Sequence, residues 1–176
     1  MHVLNTSSGC PMIRHRYLQG ILATALVAFV SGSVVGSQIF VRDEAPTDRA
    51  ARVSFAELNT IVGEMDRDQR TTVRLLEGGS YNVNIRRIRG GETALMHPRT
   101  TDVYVVREGS GTLVTGGRII DEQGRVVDGQ RGAGILGGVE ERISVGDVVF
   151  IPAGVPHGIR ETAGITWFNI RFDTAP

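Results

Sequence analysis

Hydrophobic and polar positions divide this chain into three regimes. The first is the run YLQGILATALVAFVSGSVVGSQIFV at 17–41, interrupted only by Gln19 and small residues. It has about the twenty residues that a spanning helix needs, and nothing in it alternates polar with apolar as a buried core helix would. Arg14, His15 and Arg16 precede it and the polar, charged RDEAPTDRAARVS follows, which predicts an N-terminus inside and the remainder outside. Residues 1–42 therefore read as an export signal or as a membrane anchor centred on 18–41. Small residues at Ser31, Ser33 and Ser37 permit cleavage, and a start at Met12 would shorten the segment to a more ordinary signal; N-terminal sequencing of the precursor separates these cases. Periplasmic or secreted localisation follows from either, and a membrane enters only through this segment.

After a linker at 43–53 the period becomes helical. In SFAELNTIVGEMDRDQR, Phe55, Leu58, Ile61, Val62 and Met65 share one face, and Ser54 with Glu57 has the spacing of a capping box. One amphipathic helix is predicted over 54–70, covering a sheet or a partner subunit. Beyond Thr71 the period is two. TTVRLLEG and SYNVNIRRI form strands about Gly78 and Gly79, with Tyr81, Val83 and Ile85 on one face and Asn82, Asn84 and Arg86 on the other. DVYVVREGSGTLVTGG reads as a hairpin turning at 109–111. A glycine-rich passage at 116–138 contains a further hairpin, RIIDEQGRVVDG, inserted between barrel strands and placed to cap a mouth or arm a partner. VEERISVGDVVFIPAGVPHGIRE and GITWFNIRF complete the set. Strands punctuated by glycine turns, without intervening helices, predict an all-β sandwich or barrel over 71–176.

Composition removes several classes of function. With 19 basic and 19 acidic residues the net charge is zero, so no nucleic-acid partner is advertised. The one cysteine, Cys10, precludes an intrachain disulfide or a cysteine-cluster zinc site. No Gly-x-x-x-x-Gly-Lys loop, no Gly-x-Ser-x-Gly and no Ser/His/Asp set in a recognisable context is present, which argues against phosphate-loop and side-chain-nucleophile chemistry.

The stretch GDVVFIPAGVPHGIRE resembles the second motif of the cupin family, with Gly146, Pro152, Gly154 and His157 in register. In that reading Gly146 turns the chain, Val148 and Phe150 alternate into the core, and Pro152 with Gly154 presents His157 at the mouth. The resemblance covers roughly 80–172. It implies a single cupin-type jelly-roll β-barrel, preceded here by the signal or anchor helix and the amphipathic helix.

The first cupin motif is incomplete. Read back from Gly109, its carboxylate position falls on Asp102, its second histidine on His97 and its first histidine on Leu95; read forward from Gly91, His97 is the first histidine and Arg99 the second. The first register fits the strand and turn of DVYVVREGSG better, and in both a ligand is missing. His97, Asp102 and His157 then resemble a two-histidine, one-carboxylate triad able to take a divalent metal, with Fe, Mn, Zn, Ni and Cu all admissible. Tyr104, two residues after Asp102, shares its inward face and is the candidate acid or base, or else a packed aromatic. Arg86, Arg99, Glu161 and Trp167 are candidate substrate contacts. Arg86 would pair with a carboxylate if inward, and Glu161 would orient His157 or stand in solvent. On the last strand the Phe168, Ile170, Phe172 face is the more core-like, which would put Trp167 outside or at a dimer contact.

The resemblance implies an exported metal-dependent cupin enzyme of oxygenase, isomerase or lyase type, acting on a small polar or anionic molecule. The alternative is a non-catalytic cupin that binds a small ligand without a functional metal. A homodimer is the family expectation.

Overall fold

The computed structural model describes residues 40–174. Most of the signal or anchor read at 1–42 lies outside them. The capping box forms as read: the Ser54 hydroxyl accepts from the Glu57 amide, and the Glu57 carboxylate accepts from the Ser54 amide at 2.7 Å. The helix it starts, α1 (Phe55–Arg67), is the only one among the described residues. Ile61, Val62 and Met65 pack it against Val73, Leu75 and Ile85, with Val83 and Phe168 at the margin. These last residues belong to three strands: β2 (Thr72–Glu77), β3 (Tyr81–Ile88) and the C-terminal β11 (His157–Asp173). A further strand, β1 (Phe40–Glu44), runs parallel to β2, so residues 43 and 44 of the stretch read as a linker belong to the sheet.

The rest of the chain is organised by two long strands. Of the segment 102–117, expected to be a hairpin, residues 102–115 instead run in one strand, β5 (Thr100–Thr115). It pairs antiparallel with β11 from Thr100↔Asp173 to Thr115↔His157. Thirteen residues separate Asp102 from Thr115, roughly 40 Å of extended chain. Yet the side chains of Asp102 and of His157, the partner of Thr115, approach to 3.8 Å. The β5–β11 ribbon must therefore fold back on itself.

The fold has a definite corner. Register shifts lie between Arg160 and Gly164 and between Thr166 and Trp167, and Glu161 adopts φ 56° in the first of them. Across from it Gly109 has φ 71°, and a Cβ there would stand 1.9 Å from the Gly164 carbonyl oxygen. Only glycine has both the backbone freedom and the missing atom that this crossing needs.

Each half of the ribbon collects its own neighbours. On one half β11 pairs β3, and β5 pairs β10 (Val148–Ile151). On the other, β11 pairs β4 (Ala94–Leu95) and β5 pairs β9 (Val139–Ser144). The two inner faces enclose Tyr104, Val106, Ile151 and Trp167 from one half and Leu113, Ile143 and Ile159 from the other. The strand path ends at β1 and at β7 (Arg131–Gly132) without rejoining, so the jelly-roll arrangement is an open roll rather than a closed barrel.

The inserted passage folds as β6 (Arg118–Ile120), a turn in which the Asp121 carboxylate accepts from the Gln123 and Arg125 amides, then β7 and β8 (Gly134–Leu136). Through β7 it reaches the mouth, where Arg131 pairs with Leu95.

Two readings of side-chain direction are corrected. Val148 and Phe150 are 67% and 62% exposed; Ile151 is buried and Val149 packs against the core. Trp167 is wholly buried, as is Asn169, while Phe168 packs beneath α1. Both faces of β11 are covered, by the interior on one side and by the helix on the other. An apolar face was therefore no guide to which side was inward.

Candidate metal centre

His157 is delivered by the bend that the second motif predicts. Gly146, at φ 95°, closes a turn in which the Asp147 amide donates to the Ser144 carbonyl. After β10, the Val155 amide donates to the Pro152 carbonyl, and the Gly154 amide donates to the carbonyl of His97 at 2.8 Å. That last bond ties the Pro-x-Gly bend to the segment carrying the other histidine. His157 then opens β11, flanked by Leu95 and Thr115.

Asp102, from the far end of β5, completes the group. His97 Nε2 and His157 Nε2 lie 3.7 and 3.8 Å from Asp102 Oδ2, and the three ligand atoms all fall within 4.8 Å of one another. These separations exceed hydrogen-bond length. All three atoms are buried without a hydrogen-bond partner. A divalent ion bound by nitrogen and oxygen at about 2.1 Å brings its ligand atoms roughly 3.0–3.5 Å apart, so binding would draw each imidazole a few tenths of an ångström towards the carboxylate and the two imidazoles about 1 Å or more towards each other.

The surroundings orient the ligands. His157 Nδ1 faces the Val155 carbonyl at 2.9 Å; with the proton on Nδ1 that bond leaves the Nε2 lone pair directed at the cluster. Arg171 Nε donates to Asp102 Oδ1 at 2.7 Å, turning Oδ2 towards the imidazoles.

Above the triad lies a chamber of polar groups. Tyr104 is fully buried, its ring 6.3 Å from that of His157 and 5.5 Å from Trp167. Arg86 stacks 5.0 Å over Trp167 and approaches Glu92 at 2.8 Å, in a largely buried ion pair. The Tyr104 hydroxyl, Trp167 Nε1, both side-chain heteroatoms of Asn169, Arg86 Nε and Glu92 Oε1 lack hydrogen-bond partners. Desolvated polar atoms on this scale mark an interior built around something polar.

No protein-family model and no curated protein matches the sequence. Solved structures do. A crystal structure of a Bacillus halodurans protein shares 21% identity over 75% of this chain and 87% of its own, with a TM-score of 0.50. An uncharacterized conserved protein with a double-stranded β-helix domain from Klebsiella pneumoniae is similar over 57% of this chain and 69% of its own, at 14% identity and a TM-score of 0.42. A Cupin 2 conserved barrel domain protein from Salinispora arenicola is similar over 58% of this chain and 74% of its own, at 14% identity and a TM-score of 0.41. The likeness to the Bacillus halodurans protein is one of fold.

Within this roll the candidate residues separate. His97, Asp102 and His157 converge, with Tyr104, Trp167 and Arg86 beside them; Arg86 is inward, but Glu92 already engages it. Arg99 is exposed and does not line the mouth. Glu161 is exposed in the β11 bulge, where it accepts from the Thr112 hydroxyl and makes no contact with His157. His97 belongs to the group under either register, and Leu95, the first-histidine position in the register read back from Gly109, pairs with His157. Sequence reasoning missed Arg171 and Arg131 as site residues, and only nearness to the first motif recommended Glu92. The first shares the Trp167, Asn169 face of β11, and recognising that face as inward would have found it.

Burial, and then the Arg171 guanidinium, push the His97 imidazole down to about 4. Its folded pKa thus lies below the ordinary 6.5, and between these values the unfolded chain binds the extra proton. Metal-free protein is therefore expected to keep this contribution above about pH 6.5 and lose it on descending to about pH 4, a change on the order of 2–3 kcal/mol. Urea midpoints at pH 7 and pH 4.5, for the wild type and His97→Gln, check this. Equal loss in both proteins would refute it.

Proposed function

We propose that this protein is a cupin, an exported metal-dependent enzyme acting on a small polar or anionic molecule by oxygenation, isomerisation or elimination. One observation carries the reading: His97 Nε2, Asp102 Oδ2 and His157 Nε2 are buried within 4.8 Å of one another and unpartnered. Buried polar atoms are ordinarily satisfied, and this donor set suits a divalent ion of the first transition row without selecting among Fe, Mn, Zn, Ni and Cu. When bound there, such an ion supplies Lewis-acid activation of a coordinated substrate or water.

The chain's own groups have distinct parts. Val155 holds the His157 ring and Arg171 holds Asp102, so the ligand atoms are positioned in advance. Burial pushes the Tyr104 phenol upward, which keeps it a neutral hydroxyl. In this proposal it donates a hydrogen bond or proton to the substrate's developing negative charge. Trp167 and the neighbouring core exclude water from that step.

The alternative, a cupin that binds a ligand without a metal, is favoured by Arg171 alone, since its guanidinium offsets the charge of Asp102 in the absence of an ion. Elemental analysis of full-length protein purified without added metal, beside His157→Ala, decides between them. Stoichiometric metal in the wild type that is lost in the variant is expected. Absence from both after reconstitution would reject the enzyme reading in favour of the binding module.

A further inference from the structure

The mouth of the roll is a cavity of about 220 Å³ lined by Thr71, Thr72, Asn84, Arg86, Leu95, His97, Arg131 and Arg171. A cavity of that size takes a small molecule. Three of the lining residues are arginines and none is acidic. Two of the three are already engaged: Arg86 by Glu92 and Arg171 by Asp102, both carboxylates lying behind the wall. Arg131 forms no ion pair with any described residue, so three guanidiniums face two carboxylates and the mouth keeps an excess positive charge. A bound divalent ion would increase it.

Backbone bonds place the main chain of Arg131 at the mouth, from which its exposed side chain can reach an occupant. Its strand β7 pairs with β4, Arg131 opposite Leu95, and the Met96 amide donates to the Gln130 carbonyl at 2.9 Å. Leu95 in turn pairs with His157 on its other side. The glycine-rich insertion thus returns to the roll one strand away from the candidate ligand.

We propose that Arg131 is the specificity residue of this mouth, and that the ligand it selects is a small oxyanion, a carboxylate or a phosphate-headed molecule. This deepens the substrate class of the site proposed above and assumes the same cavity, but it does not require the metal. The guanidinium fork matches either anion in a bidentate fashion, and a small cavity open to solvent on one side concentrates the attraction.

Titration calorimetry on the full-length protein tests it, with malonate, inorganic phosphate and neutral malonamide as probes, in chelator-treated and zinc-loaded samples. Malonate or phosphate should bind the chelated protein while malonamide does not, and Arg131→Gln should weaken anion binding about ten- to a hundredfold. Arg99→Gln, an exposed arginine outside the cavity, should leave it unchanged. Whichever anion binds more tightly identifies the headgroup. Equal affinity in Arg131→Gln, malonamide binding as well as malonate, or no anion binding in either sample would overturn the inference. A protein that takes no metal yet binds anions through Arg131 would reject the enzyme reading and leave this one standing.

Discussion

Alanine at Gly109 is expected to destabilise the domain by about 3–5 kcal/mol and, in doing so, to separate Asp102 from His157. Two costs combine. At φ 71° an L side chain is strained by about 1–2 kcal/mol. The added Cβ would also meet the Gly164 oxygen at 1.9 Å and the Ile165 Cα at 3.2 Å, both backbone atoms of the paired strand, which no rotamer change relieves. Relief requires opening the β5–β11 corner, the feature that brings the two ends of the ribbon together. Gly124→Ala supplies the comparison, because Gly124 has φ 77° with nothing near its missing Cβ and should lose only the conformational part, about 1 kcal/mol. Urea unfolding of both variants isolates the clash. Similar losses would mean that the corner tolerates a side chain and that its geometry does not depend on glycine.

That corner also shows what was legible in the chain. Gly109 stood out as motif glycine and turn residue, but a turn within a hairpin and a bend within a folded-over ribbon leave the same local trace. Only the partner strand distinguishes them. The capping box at Ser54 and Glu57, the β2–β3 hairpin and the bend at Pro152 and Gly154 were readable because their causes are local. The inward face of β11 was not. Phe168 answers to a helix roughly a hundred residues earlier in sequence, while Trp167, Asn169 and Arg171 line an interior that holds buried polar atoms. Where a site lines the core, the rule that apolar faces point inward fails. The role of Arg131 was hidden for a related reason: it is set by a pairing between a two-residue strand and Leu95, with no periodicity to announce it.

Asparagine at Asp102 is expected to abolish metal retention while leaving the fold intact. Asp102 is 1% exposed and serves two partners of opposite demand: Oδ1 accepts from Arg171, and Oδ2 faces the two imidazoles. An amide has one oxygen. With it turned to Arg171, the NH2 group fills the ligand position and has no lone pair to offer a metal. Turned the other way, the NH2 group opposes the Arg171 Nε–H, two donors in contact. The variant can satisfy Arg171 or an ion, not both, and a loss of at least a hundredfold in metal affinity follows, beyond what removal of an outer partner costs. Asp102→Ala differs informatively: it leaves the largely buried Arg171 guanidinium unpaired, for about 3 kcal/mol of stability, as well as removing the ligand. Unfolding curves and competitive chelator titrations on both variants separate the two roles. If Asp102→Asn retains metal with wild-type affinity, Oδ2 is not a ligand, and the convergence of His97, Asp102 and His157 must instead serve the charge balance of Arg171 and whatever anion enters beside it.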